Sequence, residues 1–170
     1  SVPHAGMAVS IDIGEAGDIH PKNKEDVGSR LARWALADTY AQAVVKSGPL
    51  YDTFALEGSA VRVRFRHAGG LKADGGAAKG FAIAGADRLW HRAEARIDGE
   101  TVVVSSPAVP QPAAVRYAWA DNPEATLRNG EKAGVAVFDH PKNLNYPTRW
   151  QIRGKGFFVA TPFAGQVFNA

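Results

Sequence analysis

Val61-Arg62-Val63-Arg64-Phe65-Arg66 places three apolar side chains in strict alternation with three arginines. Successive side chains of a strand point to opposite faces, so this stretch reads as a strand with one buried face and one solvated face. The same period-two habit recurs outward from it. Strands are expected at Gly80 to Ile83, Ala93 to Ile97, Thr101 to Ser105, Val115 to Trp119, Val135 to Phe138, Trp150 to Arg153 and Gly156 to Ala160. Asp98-Gly99 is placed to close a hairpin between Ile97 and Thr101, and Asp74-Gly75-Gly76 marks another turn. Half-solvated strands joined by tight turns make an antiparallel sheet, and hence a mainly β fold, a β-sandwich or a barrel.

Upstream of Gly48-Pro49 the period changes. Pro21 suits a first helical turn, Glu25 and Asp26 suit its positive end, and Val27, Leu31, Trp34 and Ala35 recur at helical spacing. One N-terminal α-helix is therefore expected from about Pro21 to about Tyr40. Met7 to Ile13 alternates in the β manner and reads as a buried strand. Asn122 to Ala133 has the composition of a linker.

Composition narrows the partners. A chain of 170 residues, 45% hydrophobic, can bury one sizeable core. Twenty basic residues against 17 acidic ones leave a small surplus spread along the chain, which disfavours nucleic acid as a partner. No apolar run reaches bilayer length, so no membrane partner is expected, and the N-terminus lacks the order of a signal peptide. With no cysteine, thiolate metal sites and disulfides are excluded.

Asp18-Ile19-His20-Pro21-Lys22-Asn23-Lys24 is the stretch richest in chemistry. In an extended backbone residues two apart point the same way, so Asp18 can orient the His20 imidazole by a hydrogen bond. The other ring nitrogen then serves as a base. This run, with Gly6 to Glu15 before it and Val27 to Ala32 after it, resembles the last strand, loop and helix of the sialate O-acetylesterase family, a branch of the SGNH hydrolases. The likeness continues through Ser47 to Tyr51, His67 to Leu71, Gly80 to Asp87, Val102 to Pro107 and Val115 to Pro123, and stops near Asn129.

The resemblance implies a remnant over 1–48 that carries His20 and a β module over 49–129. It implies hydrolysis of acetyl esters on carbohydrate, with His20 as catalytic base, Asp18 as its partner and a periplasmic or secreted setting. SGNH hydrolases more often carry the acid three residues before the histidine, where this chain has Gly17. The family's Gly-Asp-Ser nucleophile block and its oxyanion blocks have no counterpart here, so a partner subunit or an unrecognised serine would have to supply the nucleophile. Residues 130–170, with Gly134 to Pro141, Pro147 to Trp150 and Gly156 to Phe163, resemble the end of a β-sandwich family catalogued under a methane-oxygenase name, which is not evidence of methane chemistry.

Two other readings stay open. A non-catalytic β-sandwich could bind acetylated carbohydrate or protein, with Trp90 stacking on a sugar and Arg62 and Arg64 meeting an acidic one; a solvated strand face explains the same arginines. Alternatively His20 and His140 could gather as metal ligands, though no histidine pair has ligand spacing and no cofactor is expected. A strand at Met7 to Ile13 without its parent sheet would need a new neighbour, either the strands after Gly134 or a second copy in a homodimer.

Overall fold

The computed structural model describes residues 5–130 and two short strands, 150–153 and 157–160. After α1 (Lys24–Asp38) come β1 (Leu50–Glu57), β2 (Ala60–Arg66), β3 (Lys72–Ala73), β4 (Phe81–Ala84), β5 (Trp90–Arg92) and β6 (Glu94–Asp98). These are followed by β7 (Thr101–Ser105), β8 (Ala114–Tyr117), β9 (Leu127–Arg128), β10 (Trp150–Arg153) and β11 (Phe157–Ala160). The fold is mainly β, with several antiparallel sheets and one helix, and no closed barrel is found among the described residues. Two compact units divide the chain, Ser1–Val137 and Phe138–Ala170. In the second, β10 and β11 pair antiparallel from Trp150 opposite Ala160 to Arg153 opposite Phe157. The expected strand at Val135 to Phe138 lies outside the described residues.

In the first unit the larger sheet runs β1-β2-β7-β6 and the smaller one β5-β4-β8. Val61, Val63 and Phe65 are buried together with Val102 and Val104 of the neighbouring strand, as the alternation of β2 requires. The smaller sheet buries Phe81, Ile83 and Tyr117, and the Phe81 and Tyr117 rings lie 4.7 Å apart. Asp98 opposite Thr101 closes β6 onto β7 as expected, and Gly99 at φ +60 takes the left-handed turn position that a side chain would strain.

Helix α1 starts where its capping chemistry places it. The Asn23 side chain accepts the Asp26 N–H at 3.1 Å, and Glu25 and Asp26 occupy the positive first turn. Its packed side differs from the expected apolar stripe. Leu31 is 49% exposed and Ala35 is exposed, whereas Arg30 is the helix's buried residue. Arg30 reaches the Asp12 carboxylate with both terminal nitrogens, each at 2.7 Å, and also donates to the Val9 carbonyl. Arg128 of β9 binds the same carboxylate and, through Nε, that of Asp74.

This network corrects two expectations. Met7 to Ile13 forms no strand, because its backbone is taken up by turns and side chains: Ile13 N–H donates to Ser10 O, Trp34 Nε1 to Met7 O at 2.9 Å, and Arg30 to Val9 O. It therefore does not become the strand that seeks a sheet partner. Nor is the described part of Asn122 to Ala133 a linker. Leu127 and Asn129 are buried, β9 pairs with β3, and Asn129 Nδ2 donates to the carbonyls of Ser47 and His67. Gly80, at φ +87, lets this segment approach so closely that a Cβ would stand 2.5 Å from Glu124 O.

Burial pushes the Asp12 carboxyl up, but hydrogen bonds from Arg30 and Arg128 outweigh it and hold the group below the ordinary carboxylate range. Its stabilising effect is thus present above about pH 4 and lost as pH falls through the depressed value. Asp12→Asn should cost about 3–5 kcal/mol in urea unfolding, by leaving Arg30 buried without its charge partner, and should flatten this acid limb. At the opposite end of the scale, burial pushes the Tyr117 hydroxyl up to about 12 although it accepts the Leu127 N–H at 2.8 Å. Stability from Tyr117 is whole below about pH 10, the unfolded value, and lost as pH rises through the folded one. Tyr117→Phe should remove that alkaline transition and cost about 1–3 kcal/mol by orphaning the Leu127 N–H, both read by unfolding against pH.

Candidate active site

The loop between Asp12 and Asn23 carries the Asp18-His20 pair, and both of its ends are fixed. Asp12 is held by Arg30, and Asn23 caps the same helix. Between them Glu15 pairs with Asp18 in an isolated bridge, and its carboxylate accepts the Lys22 N–H at 2.8 Å. The loop is thereby folded back so that Asp18 and His20 stand together. Asp18 Oδ1 accepts the His20 backbone N–H at 2.8 Å and lies 3.2 Å from His20 Nδ1. With a proton on Nδ1, the carboxylate fixes the ring and leaves Nε2 as the free base.

The pair is open to water, with side-chain exposures of 76% for His20 and 49% for Asp18. Among the described residues no serine hydroxyl hydrogen-bonds to His20. Ser47 and Ser106 are buried, and Ser47 Oγ donates to Gly48 O at 3.0 Å. A shallow pocket of about 380 Å³ lies between α1 and residues 43–45, lined by Ser29, Arg33 and Leu36 among others, and does not include the pair. The described residues hold no cluster of three metal-ligating side chains, and His140 lies outside them.

The other candidate contacts fall on two separate sheets. Arg62 and Arg64 belong to β2, whereas Trp90 opens β5. Arg62 is committed to its own sheet: Nε meets Glu57 at 2.6 Å, and Nη1 meets Asp98 and Thr101, each at 2.8 Å. These hydrogen bonds raise its pKa further. An acidic sugar at Arg62 would have to displace two carboxylates. Arg64 is exposed. Trp90 is half-buried beneath the Arg116 guanidinium, whose carbon lies 4.3 Å from the ring centroid. Sequence reasoning missed both Arg116 and the Asp12-Arg30-Arg128 network. The signal for Arg30 was available, since it sits at helical spacing from Val27 and Trp34; none marked Arg116.

Comparison with known proteins adds two likenesses. Residues 63–170 match the model of a family described as a family of unknown function (DUF6807). That span includes the Asn129-Gly130 position. The chain is also similar to the crystal structure of a carbohydrate acetylesterase from Xanthomonas citri, with 44% identity and a TM-score of 0.69. The likeness covers 74% of this chain and 29% of the esterase, so the chain spans less than a third of that protein's length. None of the curated proteins matches.

Proposed function

Since the chain belongs to the family of unknown function DUF6807, which assigns no chemistry, we propose from its esterase likeness that it serves hydrolysis of acetyl esters on carbohydrate. In this reading it corresponds to the histidine-bearing part of a sialate-type O-acetylesterase, with a remnant at 1–48, a β module at 49–129 and a tail at 130–170. The observation that carries it is the 44% identity to a carbohydrate acetylesterase, joined to an Asp18-His20 hydrogen bond of 3.2 Å. His20 Nε2 takes the proton of a serine hydroxyl as the hydroxyl oxygen attacks the acetyl carbonyl. It returns the proton to the departing sugar oxygen, and water then releases acetate by the same relay. Asp18 holds the ring and stabilises the imidazolium. The serine comes from a partner subunit or from an unrecognised position.

The chain alone should release little or no acetate from acetylated sugars or a chromogenic acetate ester, because a lone Asp-His pair lacks nucleophile and oxyanion donors. Substituted for the matching part of the Xanthomonas esterase, it should support turnover that His20→Ala lowers by about four to six orders of magnitude. The exposed position of His20 means that this substitution should shift the chain's own unfolding by no more than about 0.5 kcal/mol. A folded, inactive chimaera overturns the proposal. Robust turnover by the chain alone, lost in His20→Ala, would instead place the serine within it.

A further inference from the structure

The outer face of the β5-β4-β8 sheet carries a cationic cluster that core packing does not use. Ala82 of β4 lies between Arg92 of β5 and Arg116 of β8, and Ala84 lies between Trp90 and Ala114. Directly paired residues share a face, as do residues two apart on a strand. Two arginines and an indole therefore share a face with Ala82 and Ala84, opposite to that of Phe81 and Ile83; Ala82 is half-buried and Ala84 is fully covered.

Arg116 is held from two sides. Its guanidinium carbon is 4.3 Å from the Trp90 centroid and 6.0 Å from that of Trp119. A guanidinium over an indole is attracted through its charge and keeps N–H donors, in the fork that matches a carboxylate, for a further partner. Among the described residues no hydrogen bond or ion pair takes up those donors on Arg116 or on Arg92, in contrast to Arg62, which two carboxylates satisfy. Arg116 is half-buried as well, and that burial lowers its pKa. A cation partly withdrawn from water, packed on an indole and without an ion pair among the described residues is a site prepared for an anion, since the arriving charge offsets a desolvation cost already incurred.

We propose that Arg116, Arg92, Trp90 and Trp119 form a non-catalytic binding site for a carboxylate-bearing sugar. Arg116 takes the carboxylate, Arg92 adds a second positive charge on the same row, and the indoles offer apolar surface to the C–H face of the sugar ring. The site lies on β-module strands and needs no ester chemistry, so it stands or falls separately from the role proposed for His20.

Isothermal titration of the full chain with trigalacturonate and with sialyllactose, against maltotriose and triglutamate, tests the proposal. At least one acidic sugar should bind about tenfold or more tightly than maltotriose or triglutamate, and the tighter of the two identifies the source of the carboxylate. Arg116→Gln should weaken that binding by about tenfold to a hundredfold, Arg92→Gln by less, and Arg66→Gln, at an exposed position of β2, not at all. Circular dichroism of each variant checks the fold, and Arg116→Lys, which keeps the charge but loses the fork, should bind between the parent and Arg116→Gln. Binding of neither acidic sugar above maltotriose overturns the proposal, as does equal binding of triglutamate or undiminished binding by a folded Arg116→Gln.

Discussion

The Asp12 carboxylate, its side chain fully buried and shared by Arg30 and Arg128, is the constraint on which the N-terminal half of the described structure depends. It joins residues 18 and 116 positions away along the chain, and so binds the first segment at once to α1 and to β9. A buried ion pair is a poor source of net stability, because desolvation consumes most of its Coulomb energy. Its effect is on arrangement. An apolar seam can slide by a turn with little loss, whereas a bidentate carboxylate-guanidinium pair accepts one register, and a misplaced helix would leave charges buried alone. The loop that begins at Asp12 and ends at the Asn23 cap inherits that register, and with it the place of Asp18 and His20.

Where the sequence carried a local period, it was legible. The β2 alternation, the Asp98-Gly99 hairpin and the helix over Lys24–Asp38 follow from residues close in the chain. Strands of two or three residues, such as β3, β5 and β9, have no room for a period and escaped notice. Met7 to Ile13 has the alternation of a strand, yet its carbonyls answer to Arg30 and Trp34, partners that lie 21 and 27 residues away. Asn122 to Gly130 has the polar, turn-rich look of a linker because its anchors, among them Tyr117 and His67, lie elsewhere in the chain.

The candidate sites divide in the same way. Asp18 and His20 are two residues apart, so their hydrogen bond could be read from the sequence. The company of Arg62 could not, because Asp98 reaches it only through the register that sets β2 beside β7 and β7 beside β6. Arg116 meets Trp90 diagonally across β4, a contact that exists only once three strands are in register. Chemistry built on a local turn can be read from a single sequence; chemistry built across strands needs the sheet.

Water exposure of the Asp18-His20 pair bears directly on the esterase reading. A developing oxyanion is stabilised best by fixed donors in a site from which water is excluded, and an imidazole that is 76% exposed lacks that exclusion among the described residues. Several large apolar residues of this loop, its flanks and α1 are themselves poorly covered, among them Ile19 at 73% exposed and Leu31 at 49%, as are Leu56 and Leu89 in the β module. Of the apolar stripe, Leu31 and Ala35 thus find no cover among the described residues, Val27 and Trp34 are half-buried, and Arg30 holds the packed side. On the esterase reading these two facts are one. A body that brought a serine to His20 would have to lie over this loop, where burial of the exposed Ile19 would supply association energy that an exposed ion pair cannot provide.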